Sequence, residues 1–324
     1  MTKTKWCLIG CGKVVLKNKT TPFSNKQNEI VGICTTNINN SINAKNKLKL
    51  KKCKCYDDVI KMLNEVECDA IYICTPPKYH YIYLKIVAKY NIPTYVEKPF
   101  TLNMKEAKEI VDIYNKENTK LFVAHYKRLT KRTQKLKHIL KNKYIGELIE
   151  IKGSFKRYFS NDLLMNSWIY KKEISGGGRF FDIAPHIFDI LYYLFGEFEN
   201  IKSKVKYEKI KHSCENEVNV SFNIDEINCQ LEFNLNSNVD EDILLIKGTN
   251  GYIKTSINRE MPIYIYNNND KLIKIYRFKK TKTWGIESIK EINKILKNKN
   301  YSSDICTKEE ALIIQTYINK ILKK

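Results

Sequence analysis

The chain has 324 residues, enough for about two domains at roughly 150 residues each. Hydrophobic residues make up 43% and charged residues 28%, which excludes wholesale disorder and allows a full core without disulfide or metal staples. Basic residues outnumber acidic ones by 57 to 35, a net charge of +22, and no apolar run approaches the roughly 18 residues of a membrane span.

Residues 5–9 read as a strand that ends in the turn Gly10-Cys11-Gly12. A second strand covers 29–34, a polar helix 41–50, and an amphipathic helix 57–63 with Asp57 or Asp58 placed to cap it. A strand at 69–74 stops at Thr75-Pro76-Pro77, a helix follows at 79–90, and a strand at 93–96 stops at Pro99. A helix at 102–118 and a strand at 120–124 complete a strand–helix alternation, which means βαβ units and a parallel sheet. The pattern then changes, and the domain boundary falls near 125. A helix spans 130–142 and a long strand 147–159. Ser175-Gly176-Gly177-Gly178 precedes an apolar helix at 183–195. Strands at 218–224, 229–235, 243–247, 252–257, 263–266 and 272–278, joined by polar turns, form an antiparallel pattern, and helices at 287–296 and 308–322 close the chain.

The ten cysteines include Cys7, Cys34 and Cys74 inside apolar strand runs, where a thiol acts as a small hydrophobe. No CxxC pair occurs, so no metal site is expected, and reduced thiols fit a cytoplasmic protein. The first residues hold only the short apolar run at 6–9, less than the roughly 7–15 residues of a secretory core. The basic charge is mostly lysine, densest at 45–54 and 127–143, with only six arginines: Arg128, Arg132, Arg157, Arg179, Arg259 and Arg277. Arginine is the usual reader of bases and phosphate forks. A solvated lysine surface is therefore favoured over a nucleic-acid face, which would make duplex binding steeply salt-dependent.

Five segments carry chemistry. Gly10-x-Gly12 closes the first strand, where two glycines let the backbone turn tightly and approach a pyrophosphate at a helix N-terminus. The third fingerprint position is Val15 rather than Gly or Ala, so a plain structural turn stays open. The ribose-sensing position lies about 20 residues on. There the strand ends Gly32-Ile33-Cys34-Thr35-Thr36-Asn37 with no acid to repel a 2′-phosphate, which favours NADP over NAD; Thr35 and Thr36 could bond either. Thr75-Pro76-Pro77-x-x-His80 and Glu97-Lys98-Pro99 each end a strand at the carboxyl edge of the sheet, where open α/β folds bind ligands. Finally, Asp182 and His186 are four apart on one helical face with Asp189 three further, and a carboxylate beside an imidazole suits a proton acceptor.

Each residue has a bland alternative: His186 as a core histidine, Lys98 as a cation paired with Glu97, Asp182 as a helix cap, Asp189 as structural, Arg128 as part of a basic helix start, Trp168 as packing, His80 as a loop-ordering group. Pro185 is tolerable only in a first helical turn, which puts the helix start near Ala184 and makes Asp182 partly a cap.

Taken with Val123-Ala124-His125-Tyr126-Lys127-Arg128, Ile145-Gly146-Glu147 and Gly248-Thr249-Asn250-Gly251, these motifs resemble, in order and spacing over essentially the whole chain, the glucose–fructose oxidoreductase / inositol dehydrogenase (Gfo/Idh/MocA) family. The resemblance implies an α/β protein with an N-terminal Rossmann dinucleotide-binding domain at 1–125. It implies a C-terminal α/β domain at 126–324, whose open, mostly antiparallel sheet serves as the interface of a homodimer or homotetramer. It implies NAD(P)-linked hydride transfer to or from a sugar, nucleotide sugar, cyclitol or related polyol. On this pattern the cofactor contacts are Gly10, Gly12, Lys13, Val14, Thr35, Thr36, Thr75, Pro76, Pro77, His80, Glu97 and Lys98. Lys98 also bonds the reacting oxygen, His186 is the general acid/base, Asp182 binds a substrate hydroxyl and orients His186, and Arg128 and Trp168 line the pocket. Hydride leaves carbon as the hydroxyl proton leaves oxygen, so a base must reach that proton, and histidine titrates in the right range. No nucleic-acid, membrane or metal partner is expected. The rival is a dinucleotide-binding regulator or scaffold without catalysis, which has no need to keep Lys98, Asp182 and His186.

Overall fold

The computed structural model describes residues 2–16, 23, 26–158, 168–207, 214–279, 283–298 and 300–323. The chain divides into two compact units, one of residues 1–126 with 281–312 and one of 127–280 with 313–324.

The first unit is built on a six-stranded sheet of order β3-β2-β1-β4-β5-β6, with every pair parallel. Its strands are β1 (Thr4–Ile9), β2 (Asn28–Cys34), β3 (Lys54–Tyr56), β4 (Ala70–Ile73), β5 (Thr94–Val96) and β6 (Leu121–Val123). A parallel sheet is covered on both faces, and β4, β5 and β6 are buried at every residue. Between the strands run α1 (Lys13–Leu16), α2 (Ile38–Lys47), α3 (Val59–Glu65), α4 (His80–Ala88) and α5 (Met104–Lys116). Asp58 caps α3 by accepting the Lys61 N–H, and Asn103 caps α5 by accepting that of Glu106. The helix expected at 41–50 starts three residues earlier, because Asn37 caps it by accepting the Asn39 N–H and residues 38–40 are already helical. Strand β3 has no counterpart in the expected elements: it is a three-residue edge strand with Lys54 exposed, too short for a period-two signal.

Residues 281–312, which a division at 125 assigns to the second domain, belong with the first. Helix α9 (Ile286–Lys297) presents Asn293, whose Oδ1 accepts from Trp6 Nε1 at 3.3 Å and whose Nδ2 donates to Asn28 Oδ1 at 2.7 Å. The segment beyond it runs beside β6, with Val123 N–H donating to the Cys306 carbonyl. Such pairings join residues more than 180 positions apart, which no local pattern encodes.

The second unit carries an eight-stranded sheet of order β14-β13-β12-β11-β7-β10-β9-β8. Its strands are β7 (Leu148–Tyr158), β8 (Glu199–Tyr207), β9 (Glu215–Ile224), β10 (Ile227–Asn234), β11 (Asn236–Gly248), β12 (Gly251–Thr255), β13 (Ile263–Tyr266) and β14 (Leu272–Tyr276). All pairs are antiparallel except β7 with β10. Phe159, at the end of the expected 147–159 strand, lies outside the described residues. Along β10, Cys229, Leu231 and Phe233 face inward while Asn228, Gln230 and Glu232 are exposed, the alternation of a sheet covered on one face. The exposed face forms a shallow trough of about 880 Å³ lined by residues including Lys152, Ser154, Lys202, Lys204, Gln230 and Leu245. Strand β8, with no counterpart among the expected strands, is an edge strand exposed at most positions, and so lacks an apolar run.

The inner face packs against α8 (Arg179–Phe195), with Phe180 and Phe188 placing their rings 5.0 and 6.3 Å from that of Phe233. Helices α6 (Lys131–Lys141) and α7 (Lys172–Ser175) precede it, and α10 (Lys308–Leu322) runs from the first unit into the second. The start of α8 corrects the sequence expectation. It begins at Arg179 with Gly178 as its cap residue, so Pro185 lies inside the helix and Asp182 is in its first turn, not at the cap. Pro185 removes the bond to the Phe181 carbonyl and costs about 3 kcal/mol. Burial of Phe180, Phe181, Ile187, Phe188, Ile190 and Leu191, at roughly 1.5–3 kcal/mol each, outweighs that loss. No helix among the described residues is long and apolar enough to cross a membrane.

Candidate active site

In the first unit the candidate residues lie at the carboxyl ends of β1, β2, β4 and β5, brought to one edge by the parallel topology. Gly10 has φ +85°, and a Cβ there would stand 2.8 Å from Thr75 Cγ2 and 3.0 Å from the Thr75 nitrogen. Only glycine fits that contact between the two loops. At Gly12 an added Cβ would meet, among the described residues, nothing nearer than the Cys74 carbonyl oxygen at 3.9 Å, so these leave the space over it open. Thr75 Oγ1 is buried with no hydrogen-bond partner among the described residues. An open glycine turn beside an unsatisfied hydroxyl suits a phosphate-bearing ligand that brings its own oxygens. Val15 is fully buried, so the larger third fingerprint residue is absorbed by the core. Burial pushes the Cys11 thiol between the glycines up to about 12, which keeps a thiolate out of the turn at neutral pH. The side chains of Lys13 and Val14 lie outside the described part of the structure.

At the end of β2, the Thr35 hydroxyl donates to the Asn37 carbonyl at 2.7 Å and lies 2.9 Å from Ser41 Oγ, which itself donates to the Tyr56 carbonyl. Thr35 therefore orders the turn, and Thr36 is the threonine left exposed. Pro76 and Pro77 open a short 3-10 turn leading to His80. The His80 ring is fully buried, with Nε2 2.9 Å from the Thr75 carbonyl and Nδ1 3.0 and 3.2 Å from those of Pro99 and Phe100. The ring thus packs between the Thr-Pro-Pro turn and the Glu-Lys-Pro loop; neutral, it donates to one of them, and only the protonated ring donates to both. Burial lowers its pKa against the three carbonyls, which favour the protonated ring. Glu97 is buried and accepts a short bond from the Tyr72 hydroxyl; Lys98 is half-buried and precedes a cis proline.

In the second unit, Asp182 and His186 both lie on α8, with Asp182 half-buried and His186 buried. Arg128 departs from the pocket-lining expectation. Its guanidinium is 1% exposed and grips Asp189, itself fully buried, through Nη2–Oδ1 at 2.5 Å and Nε–Oδ2 at 3.2 Å. The Tyr193 ring covers it at 5.2 Å, and Gln134 bridges the Arg128 carbonyl to the Tyr193 hydroxyl. The pair is internal. Trp168 opens a 3-10 turn and is exposed.

Two residues were not legible from the sequence. Tyr72 sits within an apolar strand run, and its hydroxyl role depends on Glu97, 25 positions away. Glu215 is buried at the start of β9, and its Oε2 accepts the Gly178 N–H at 2.7 Å. Nothing local marks it, because its partner lies 37 residues upstream.

Comparison with known proteins gives the family of the two units. Residues 4–125 match the model of an oxidoreductase family with an NAD-binding Rossmann fold. Residues 133–254 match the GFO/IDH/MocA C-terminal domain. Oxidoreductase P35 of Formosa agariphila is 31% identical over 216 residues, covering 65% of this chain and 67% of that protein. D-glucoside 3-dehydrogenase of Escherichia coli is 25% identical over 199 residues, 60% of this chain and 55% of that protein, so the match spans little more than half of this relative. Among solved structures, an oxidoreductase from Agrobacterium radiobacter in complex with NAD+, L-tartaric acid and magnesium superposes with a TM-score of 0.84. Its identity is 17% and the match covers 99% of this chain and 96% of that one, a likeness of fold.

Proposed function

The chain belongs to the Gfo/Idh/MocA oxidoreductase family, and we propose that it transfers a hydride between NAD(P) and a sugar, nucleotide sugar, cyclitol or related polyol at a CH–OH group. The observation that carries the reading is the edge of the first sheet, where the open turn at Gly12, the unsatisfied Thr75 hydroxyl and the Glu97-Lys98 loop stand at neighbouring strand ends. Gly10, Gly12 and the backbone after them would hold the pyrophosphate, and Thr75, Pro76, Pro77 and Glu97 the remainder of the dinucleotide. When bound, the nicotinamide accepts or gives the hydride. Lys98 hydrogen-bonds the substrate oxygen. His186 takes the hydroxyl proton during oxidation and returns it during reduction. Asp182, one helical turn before His186, binds a neighbouring hydroxyl and orients the ring.

NADP is the favoured form, because the end of β2 presents the exposed Thr36 and no acid. The protein works in the cytoplasm as a homodimer or homotetramer through the open face of the second sheet. Calorimetric titration of cofactor-stripped protein with NADP(H) and NAD(H) tests the first half of this proposal, followed by a screen of sugars, cyclitols and nucleotide sugars with the form that binds. Lys98→Ala and His186→Ala should each abolish turnover while the dinucleotide still binds. Unchanged rates would remove both residues from the mechanism, and binding of neither dinucleotide by folded protein would remove the enzyme.

A further inference from the structure

Helix α8 has no side-chain cap of its own, since Gly178 occupies the cap position. The N-terminal amides of a helix of this length carry a partial positive charge that a carboxylate satisfies. Here the carboxylate comes from another element. Glu215, 3% exposed at the start of β9, accepts the Gly178 N–H at 2.7 Å. The turn before the helix is built around that carboxylate. A Cβ on Gly178 would fall 2.8 Å from Glu215 Oε2 and 2.6 Å from Cys214 Cβ. A Cβ on Gly177 would fall 3.1 Å from Glu215 Oε1 and 2.4 Å from Phe181 Cβ. Two glycines are thus what lets Glu215 reach the helix. Ser175 secures the other side, with its hydroxyl donating to the Gly177 carbonyl at 2.6 Å.

We propose that Glu215 is a positioning residue for the reaction: by binding the Gly178 amide it fixes the start of α8, and with it Asp182 and His186, at the substrate. This rests on the function proposed above for those two residues. Asp182 follows directly from the anchored turn, its N–H donating to the Gly178 carbonyl at 3.1 Å, and His186 is one turn further along.

The test reads His186 rather than turnover alone. With histidine labelled at ring carbon, the five rings give five Cε1–H resonances, and His186→Gln identifies the relevant one. Glu215→Ala should displace that resonance, and Glu215→Gln, which keeps the acceptor, should return it toward its native position. Thr130→Ala, which removes the cap that accepts the Thr133 N–H on α6, is the control: it should lower stability and leave the resonance in place. With any polyol the screen identifies, Glu215→Ala should lower kcat at least tenfold with dinucleotide affinity unchanged, and Glu215→Gln should recover most of the loss. Should Glu215→Ala not yield folded protein, Glu215→Asp, which withdraws the carboxylate by one methylene, takes its place with the same readings. A His186 resonance that stays put in Glu215→Ala, or moves as much in Thr130→Ala, overturns the proposal. Neither result bears on whether His186 is the base, which His186→Ala decides separately.

Discussion

The two units hold their functional side chains by different physical means. In the first, short loops at the ends of parallel strands meet through backbone groups: Gly10 lies against Thr75, and the buried His80 ring sits between the Thr75 carbonyl and those of Pro99 and Phe100. In the second, one long helix is held by buried carboxylates and a buried guanidinium: Glu215 at its first amide, and Asp189 gripped by Arg128 in its third turn. A site made from turns needs glycine and proline at fixed spacings, whereas a site made from buried charge needs partners that can come from anywhere in the chain. The first design tolerates loss of a side chain better than loss of backbone freedom. The second does the reverse.

The largest effect should therefore come from the buried pair. Arg128→Ala takes the guanidinium away from the fully buried Asp189 carboxylate, which costs about 3–5 kcal/mol. The double substitution Arg128→Met with Asp189→Leu should recover much of that loss, since an apolar pair of similar volume avoids the desolvation penalty. Urea denaturation of the three proteins measures both numbers. A loss below about 1 kcal/mol for Arg128→Ala, the range of exposed pairs, would erase the contrast between the units.

The two glycines of the first turn sharpen the same comparison at a smaller scale. Gly10→Ala combines a left-handed backbone with a Cβ 2.8 Å from Thr75 Cγ2, so it should lower stability by about 1–3 kcal/mol and weaken dinucleotide binding together. Gly12→Ala puts the new methyl group no closer than 3.9 Å to any described residue, so thermal stability should stay near that of the parent. Dinucleotide affinity should still fall by about tenfold or more, equivalent to roughly 1.4 kcal/mol. Equal loss of stability in both variants would mean that the space over Gly12 serves the fold and not a ligand.

This division also accounts for what could be read in the sequence. The parallel sheet, the Gly10–Gly12 turn, the Thr75–His80 and Glu97–Pro99 loops and the placement of Asp182 and His186 on one helix all follow from local periodicity and from residues with strong backbone preferences. The helix start at Arg179 did not, because Pro185 is a local signal for a helix N-terminus and its cost is offset by burial that only the assembled core supplies. Arg128 looked like a pocket residue because its burial against Asp189, 61 positions away, has no sequence signature. The return of 281–312 to the first unit rests on Asn293 meeting Trp6 and Asn28, again a long-range pairing. The edge strands β3 and β8 were silent because exposed edges need no apolar alternation.

The smallest predicted effect concerns the tie between the loops of the first unit. Burial holds the His80 pKa below its ordinary value of about 6.5. As pH falls through about 6.5, the unfolded chain takes up a proton that the folded ring resists, so the folded state loses stability in that window and keeps it fully at higher pH. The dependence arises from one proton, so it is at most about 1.4 kcal/mol per pH unit. His80→Gln removes the titration but also the buried ring's packing and its hydrogen bond to the loop carbonyls, so the variant should be less stable than the parent at pH 8. The gap between them should narrow steadily from pH 6.5 to pH 5, as measured by thermal or urea midpoints at each pH. Parallel curves would mean that the ring binds its proton equally in both states, which would require the carbonyls of Thr75, Pro99 and Phe100 to offset burial in full.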